Sequence, residues 1–250
     1  MIRIKTEREI EYMKVAGEAV ATALKEARKV VVEGASARDV ENLVLKIYRE
    51  LHVKPAFKGY RGYPYATCVS VNEEVIHGLP KRKKIFKSGD IVSIDTGAVY
   101  KGYYADAALT YIVGDIDERG RKLVETTYEA LIEAKRFLKA GVRLGDLGYI
   151  IQRYVEERGF NVVREFVGHG IGRELHEEPQ VPNYGKPGTG VVLRAGMTIA
   201  VEPMVTEGDY EVEIASDGWT VLTVDGSRSA HFEFTFLIKD DGVEVLTPWE

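Results

Sequence analysis

The chain has 250 residues, of which 45% are hydrophobic and 29% charged, and its formal net charge is −5 at pH 7. Such a chain can bury a sizeable core, and its slight negative charge gives no general signal for nucleic-acid binding. Its one cysteine, Cys68, excludes an internal disulfide and favours the reducing cytoplasm. The polar start predicts no signal peptide, and no apolar run reaches membrane-spanning length.

Two amphipathic helices are predicted at the start of the chain. Residues Thr6–Glu9 form a T-x-x-E capping box, and the apolar spacing behind it predicts a helix over residues 7–32 that stops before Gly34. Ser36 is placed to cap a second helix. The expected buried stripe of that helix is Val40, Leu43, Val44, Ile47 and Leu51.

A loop, a strand and two further helices are also predicted. Residues 54–65 mix Gly and Pro with three tyrosines and Phe57, which indicates an irregular loop that either crosses the surface or lines a pocket. The apolar run over residues 66–71 predicts a strand. Helical spacing over about 118–139 and about 146–158 predicts the third and fourth helices.

Residues 91–111 form the most informative stretch. Two apolar runs joined around Lys101-Gly102 predict a β-hairpin, and each run contains a single aspartate. With the turn centred just before Lys101, Asp95 and Asp106 lie nearly opposite each other on one face. Two ionised carboxylates in an apolar sheet repel and are costly to desolvate, so we expect a cation between them.

The chain repeats itself at an offset of 107 residues. The matched pairs are Gly34 with Gly141, Asp39 with Asp146, Val40 with Leu147, and Asp95 with Glu202. This repeat predicts one catalytic domain over residues 1–250, built from two pseudo-symmetric halves of about 1–115 and 116–250. A second hairpin would pair residues 199–205 with 231–238 and make Glu233 the partner of Glu202.

Four acids therefore stand at or inside apolar strands: Asp95, Asp106, Glu202 and Glu233. Any one of them alone is best interpreted as an exposed strand position or a salt bridge. Four in symmetry-related positions carry a charge of −4 that needs neutralisation. Lys and Arg are absent from the hairpin interiors, so we expect two divalent cations. Oxygen-rich coordination favours Mg, Mn, Fe(II) or Co over a thiolate-type zinc site.

Three histidines, His77, His169 and His176, lie beside Gly or Pro at predicted strand exits. A lone histidine on a strand is more often structural than a ligand. Glycines on both sides of His169, however, leave room for close approach to a metal. No G-x-S-x-G, P-loop, H-E-x-x-H or C-x-x-C motif offers a rival chemistry, and Cys68 is a small core residue rather than a nucleophile in our interpretation.

Five motifs carry a family resemblance. They are EEVIHGLP (73–80), IDTGAVYKGYYAD (94–106), VGHGIGRELHEEP (167–179), AVEPM (200–204) and SAHFEFT (229–235). With them the sequence resembles bacterial-type type I methionine aminopeptidases of metallopeptidase family M24. The resemblance implies the α+β pita-bread fold, in which two helix–helix–hairpin halves form a curved antiparallel sheet covered by helices. We expect no N-terminal extension of the eukaryotic or prolidase kind.

The resemblance also implies the site. One divalent ion would be held by Asp95, Asp106 and Glu233, and a second by Asp106, His169, Glu202 and Glu233, with Co, Mn, Fe(II), Zn and Ni as candidate ions. The implied catalytic residues are His77, His176 and Glu202, of which the two histidines also contact the substrate. The implied methionine pocket consists of Tyr60, Tyr63, Cys68, Leu175 and Trp219.

The implied activity is removal of the initiator methionine from nascent proteins and peptides through a hydroxide shared by two metal ions. Glu202 would take the water's proton and His176 would stabilise the oxyanion. We expect a cytoplasmic monomer that does not recognise nucleic acid or membranes. A transient ribosome contact is implied only by the family, because residues 207–217 are acidic.

Two alternatives remain open from sequence, and two residues depart from the family pattern. A proline-directed aminopeptidase or dipeptidase would use the same metals, and a binding protein on this fold would have lost catalysis. A purely structural acid cluster would leave the charge unbalanced. Phe234 stands where relatives usually have His, and Leu175 is an aromatic residue in some of them.

Overall fold

The computed structural model describes residues 2–250. The helices are α1 (Glu7–Ala27), α2 (Ala37–Glu50), α3 (Glu118–Phe137) and α4 (Leu144–Glu156). The strands of the first half are β1 (Lys54–Pro55), β2 (Thr67–Val71), β3 (Glu74–Ile76), β4 (Ile91–Tyr100) and β5 (Tyr103–Ile112). Those of the second half are β6 (Asn161–Val162), β7 (Gly168–Gly170), β8 (Glu177–Val181), β9 (Thr198–Val201), β10 (Met204–Thr206), β11 (Val212–Ile214), β12 (Val221–Thr223), β13 (Ser229–His231), β14 (Phe234–Ile238) and β15 (Val243–Val245).

All strand pairs among these residues are antiparallel, and the helices pack against the sheets. In the first half β4 pairs with β1, β2 and β5, and in the second half the order is β15-β14-β9-β7-β8. Two smaller sheets have the orders β13-β10-β6 and β11-β12-β3. Helix α1 covers β4 and β5, and α3 packs on α4, β10 and β13. The α+β expectation is confirmed. No helix in residues 2–250 has the length and apolar character needed to cross a membrane.

Helix α1 begins as predicted and ends earlier. Thr6 N donates to Glu9 Oε2 at 2.8 Å and Glu9 N donates to Thr6 Oγ1 at 3.4 Å, so the capping box is present. The predicted end near residue 32 is wrong, because the helix ends at Ala27 and turns follow. Residues 30–32 are three consecutive valines, whose β-branched side chains lose χ1 freedom in a helix.

Helix α2 is capped as expected, but its buried face differs from the predicted stripe. Asp39 Oδ2 accepts from Ser36 N at 2.8 Å and from Ser36 Oγ at 2.7 Å. Leu51 is 44% exposed because the helix ends at Glu50, so this member of the predicted stripe is wrong. Tyr48 and the acid Glu41 are buried instead. Helices α3 and α4 lie within about two residues of their predicted bounds.

The central hairpin is present, with a register that corrects the prediction. The two turn residues, Lys101 and Gly102, both have positive φ, as two-residue hairpins of this kind require. Asp95 pairs with Ala108, and Asp106 pairs with Gly97. The aspartates are therefore diagonal neighbours on one face rather than direct partners, because the true turn centre lies one residue later than predicted.

Matching contacts recur in the two halves at the predicted offset. Gly34 N donates to Phe86 O at 2.9 Å, and Gly141 N donates to Leu193 O at 2.9 Å. The isolated bridges also match, joining Ser36 to Ile85 and Arg143 to Val192. These contacts support the division into two halves near residue 115, which stays a prediction.

The second hairpin also forms as predicted, but the symmetry of the four acids is only partial. Strand β9 pairs with β14, and β10 pairs with β13, in one continuous register that sets Glu233 opposite Glu202. In the repeat, Glu202 corresponds to Asp95. The strand partner of Asp95 is Ala108, so Glu233, the partner of Glu202, corresponds to Ala108 rather than to Asp106. The expected symmetry relation between Asp106 and Glu233 is therefore wrong.

The two hairpins meet along β5 and the segment 231–235. Glu233 N donates to Ala108 O at 3.0 Å, and Thr235 Oγ1 donates to Asp106 O at 2.8 Å. Further along, Thr110 Oγ1 donates to the His231 carbonyl at 2.6 Å. These bonds bring acids from both halves to one place.

Glu41 attaches α2 to the start of β2. Its buried carboxylate accepts hydrogen bonds from Ala66 N at 2.9 Å, Thr67 N at 2.9 Å and Thr67 Oγ1 at 2.7 Å. Cys68 follows directly on this strand, so the carboxylate fixes the backbone next to the cavity described below.

Replacing Glu41 by Ala should lower the free energy of unfolding by about 3 kcal/mol, because three buried donors lose a charged acceptor. Urea denaturation followed by circular dichroism measures the change. Glu50→Ala, at an exposed position of the same helix, is the control and should stay within about 0.5 kcal/mol of the parent protein. An equal effect of both changes would contradict this account of Glu41.

Candidate active site

A cavity of about 750 Å³ brings the predicted site residues together. The residues lining it include Tyr60, Tyr63, Cys68, His77, Asp95, Asp106, His169, Leu175, His176, Glu202, Trp219 and Glu233. These are all the residues for which the sequence predicts a metal, catalytic or substrate role. Their proximity is a fact of the fold, and their individual roles stay predictions.

The acids and His169 form a compact cluster, in which Asp106, Glu233 and His169 are buried and Asp95 and Glu202 are half-buried. His169 Nε2 lies 3.5 Å from Asp106 Oδ2 and 3.5 Å from Glu202 Oε1. One ligand atom each from Asp106, His169 and Glu233 lies within 4.8 Å of the other two. These three side chains are close enough together to contribute to one ion site.

Two buried carboxylate oxygens, Asp95 Oδ1 and Glu233 Oε1, have no hydrogen-bond partner among the described residues. Leaving such groups buried and unpaired is costly, and native proteins rarely do so without an ion or water. Unpaired oxygens beside an imidazole are the donor set expected of a site for divalent first-row metals. The residues present therefore fit the metal ions that the sequence predicts.

The pKa values of the cluster are strongly perturbed. Burial, followed by the charges of Asp106 and Glu202, raises the pKa of Asp95 well above its usual range, and the same causes act on Glu233. Burial is also the main reason that the pKa of Glu202 rises to about 8. Burial opposes ionisation of His169, but its hydrogen bond to Asp106 and the nearby carboxylates raise its pKa to about 9. Without metal ions, the raised pKa values favour the protonated forms of these acids, and bound cations would take the place of those protons.

His77 occupies a strained position on the cavity wall. Its φ is 58°, a conformation that is uncommon for a residue other than glycine and that concentrates at functional sites. Burial lowers the pKa of its imidazole to about 4, so the ring is neutral at pH 7. Its edge packs against Phe166, with ring centroids 5.8 Å apart.

His176 is held by Tyr60. The Tyr60 hydroxyl lies 2.7 Å from His176 Nδ1, and the His176 ring centroid lies 4.3 Å from that of His169. Burial, then the charge of His169, lowers the pKa of His176 to about 4. A hydroxyl that donates to Nδ1 leaves the proton on Nε2, so the neutral ring can donate a hydrogen bond.

One side of the cavity is apolar. Tyr63 packs edge-on to Trp219 with centroids 5.1 Å apart, and its hydroxyl donates to Thr67 O at 2.9 Å. Leu175 and Cys68 are buried in the same cluster. Burial, then the charge of Asp95, raises the pKa of the Cys68 thiol, which supports its interpretation as a wall residue rather than a nucleophile.

His231 is the residue that sequence reasoning missed. Its Nε2 is buried, has no hydrogen-bond partner in the part of the chain that the structure describes, and lies 3.8 Å from Glu202 Oε2. Burial, then the charge of His77, lowers its pKa to about 3. The register of the second hairpin could have identified it. His231 lies two residues before Glu233, just as Asp106 lies two residues before Ala108, so His231 is the counterpart of Asp106 in the second half.

The structure accounts for Phe234, the departure from the family pattern. Its ring is buried and stacks on Trp249 at a centroid distance of 4.3 Å and an interplanar angle of 22°. Trp249 Nε1 also donates to Glu233 O at 2.8 Å. Phe234 therefore packs in the hydrophobic core next to the site, where its contact with Trp249 favours an aromatic, apolar side chain.

Comparison with known proteins identifies the family. The model of metallopeptidase family M24 matches residues 11–240. The chain belongs to this family. A curated relative named methionine aminopeptidase, from Clostridium acetobutylicum, is 46% identical over 247 residues, which is 99% of both chains. The crystal structure of methionine aminopeptidase from Thermotoga maritima is 66% identical, with a TM-score of 0.98 and 99% coverage of both chains. The pita-bread fold is thereby confirmed.

Proline-specific members of the family share the fold at lower identity. Prolidase from Pyrococcus furiosus is 28% identical with a TM-score of 0.80. The alignment covers 99% of this chain and 66% of that one. The fold alone therefore does not distinguish the two specificities.

The metal-free protein should lose stability between pH 6.5 and pH 9. Glu202 and His169, with pKa values of about 8 and 9, retain protons that the unfolded chain releases at lower pH, so the free energy of unfolding falls as pH rises. Each group contributes about 1.4 kcal/mol per pH unit, so the two together give a loss on the order of 5 kcal/mol. Below pH 6.5 the buried neutral histidines, with pKa values near 4, act in the opposite sense.

Urea denaturation in the presence of a chelator at a series of pH values measures this loss. Glu202→Gln removes one of the two groups and should flatten the slope. A flat pH profile for the metal-free parent protein would contradict the assigned electrostatics.

Proposed function

We propose that this chain is a methionyl aminopeptidase, a metal-dependent hydrolase that removes the N-terminal methionine from peptides and nascent proteins. The observation that carries the proposal is the cavity itself, in which a cluster of acids and histidines adjoins an apolar wall. The full-length similarity to a curated relative named methionine aminopeptidase supports the same activity.

Two divalent metal ions fit the acid cluster. Asp95, Asp106 and Glu233 would hold one ion, and Asp106, His169, Glu202 and Glu233 would hold the other. When bound, such ions lower the pKa of water and polarise a substrate carbonyl. Cobalt, manganese, iron(II), zinc and nickel all accept these ligands.

Three side chains would move or stabilise protons and charge around the scissile bond. Glu202, at the edge of the acid cluster, takes a proton from water and delivers it to the leaving amine. His176 Nε2 donates a hydrogen bond to the carbonyl oxygen as negative charge develops there. His77, neutral and held in one orientation by its backbone and by Phe166, contacts the scissile amide nitrogen.

The apolar wall supplies the specificity. Tyr60, Tyr63, Cys68, Leu175 and Trp219 would enclose an unbranched, flexible side chain such as methionine. The Tyr63 hydroxyl is already bonded to the Thr67 carbonyl, so Tyr63 presents its ring rather than a polar group. The substrate's free amino group lies at the carboxylate end, which restricts cleavage to the first residue.

The proposed setting is a monomeric enzyme that acts on nascent chains in the cytoplasm. The single cysteine, Cys68, is free and buried, as suits a reducing compartment. The segment 207–217 contains no lysine or arginine, so it gives no support to a contact with ribosomal RNA.

Metal-free protein should release no methionine from a Met-Gly-Met-Met peptide, and titration with Co(II), Mn(II) or Fe(II) should restore release. An Ala-Pro peptide is the matched substrate for the proline-directed alternative and should remain intact. Free methionine and alanine are quantified by chromatography. Cleavage of Ala-Pro alone would favour the prolidase-like activity, and metal binding without any cleavage would indicate a binding protein.

His176→Ala should lower kcat by about 10²- to 10³-fold, because one donor to the developing oxyanion is lost. Metal affinity, measured by isothermal titration calorimetry, should change little. Glu233→Ala, by contrast, should abolish both metal loading and activity, since this carboxylate would bridge both ions. A fully active Glu233→Ala protein would refute the ligand assignment.

A further inference from the structure

The turn that carries Leu175 and His176 is tied to the N-terminal segment of the chain. Lys5 Nζ lies 2.6 Å from Glu177 Oε2, and the two side chains are only 4% and 10% exposed. Lys5 N also donates to Gly196 O at 2.9 Å, which anchors the segment to the second half. A nearly buried ion pair between residues so distant in sequence fixes one segment against the other.

Glu177 closes the turn on itself. Its second oxygen, Oε1, accepts from Arg173 N at 2.7 Å and from Glu174 N at 3.4 Å. The carboxylate thus organises the backbone immediately before His176. Burial alone would raise the pKa of Glu177, but the hydrogen bond and charge of Lys5 lower that pKa below its usual value, so the carboxylate stays ionised.

Gly172 at the start of the turn makes room for the lysine. A Cβ atom at this position would collide with the Lys5 side chain and with Glu177 Oε1. The Gly172 carbonyl accepts from Tyr104 N at 2.8 Å, which also joins the turn to β5. The absence of a side chain at position 172 is therefore what allows the Lys5 ammonium group to reach Glu177.

Glu9 adds an outer link to the same turn. Its Oε1 accepts from Arg173 Nη2 at 2.8 Å and from the Tyr103 hydroxyl at 2.8 Å. The Arg173 side chain is 57% exposed, so solvent weakens this pair. The buried Lys5–Glu177 pair is the stronger constraint of the two.

We propose that Lys5 and Glu177 are positioning residues for peptide hydrolysis, which hold His176 and Leu175 where the reaction requires them. Among the described residues, Glu177 lines the cavity and Lys5 does not, so Lys5 acts only through the turn. The inference rests on the proposed function and extends it to residues outside the metal and methionine sites.

Lys5→Met keeps the length of the side chain and removes its charge. We expect kcat on a Met-Gly-Met-Met peptide to fall ~10- to 100-fold, because a displacement of about 1 Å of a catalytic group has an effect of this size. Metal affinity, measured by calorimetry, should stay within about 2-fold, since the ligands lie elsewhere. An unchanged kcat would overturn the proposal.

Lys14→Met is the matched control. Lys14 lies on α1, nine residues after Lys5, and its Nζ is 2.8 Å from Glu244 Oε1. The two side chains of this pair are about one-third exposed. Its kcat should match that of the parent protein to within about 2-fold. A loss equal to that of Lys5→Met would mean that any lysine change on this segment disturbs the enzyme, and would overturn the specific role.

A kinetic cycle with His176→Ala separates positioning from general destabilisation. Once His176 is absent, Lys5→Met should lower kcat by less than about 2-fold, because residues that act as a unit are not additive. A full additional loss in that background would overturn the proposal. If His176→Ala alone leaves kcat unchanged, the proposed role of His176 fails instead.

The double variant Lys5→Met/Glu177→Gln addresses folding. It leaves no uncompensated buried charge, so it should unfold at a temperature close to that of the parent protein. The proposal requires the kcat of this double variant to be at least ~10-fold lower than that of the parent protein. A double variant with parental kcat would show that the ion pair has no part in positioning.

Discussion

The gathering of four carboxylates at one cavity, two of them buried and two half-buried, is the constraint on which the rest of this structure depends. Like charges this close together repel, and among the described residues the cationic side chain within the cluster is that of His169. The backbone resists the repulsion, since Glu233 N is bonded to Ala108 and Asp106 is bonded to Thr235. The fold thus holds together a set of carboxylates whose charges divalent cations would neutralise.

Much of the fold follows from local signals in the sequence. The capping box at Thr6, the cap at Ser36 and the turn at Lys101-Gly102 depend on neighbours within four residues, and all three are present. Errors arose where a boundary depends on packing or on exact pairing. Helix α1 ends at Ala27, shortly before three valines, and Leu51 lies one residue beyond the end of α2; apolar periodicity marks neither end.

The cavity brings together every residue for which the sequence predicts a site role, because chemistry restricts which residue types can fill such positions. The sequence predicts no such role for Glu177, which also lines the cavity, or for His231 beside Glu202. Contacts between segments far apart in sequence have no local signature, so the pair formed by Lys5 and Glu177 became visible only in three dimensions. His231 approaches Glu202 within the second hairpin, and only the register of that hairpin could have identified it.

The same hairpin contacts set the order in which the molecule can assemble. Asp95 and Asp106 come from a hairpin that is local in sequence and can form rapidly. His169, Glu202 and Glu233 arrive from segments more than 60 residues away, and such distant contacts form slowly. The first hairpin must therefore carry its two acids without His169 until the second half docks. Docking of the second half brings one imidazole together with two further carboxylates, so repulsion among the acids opposes the same step that completes the site.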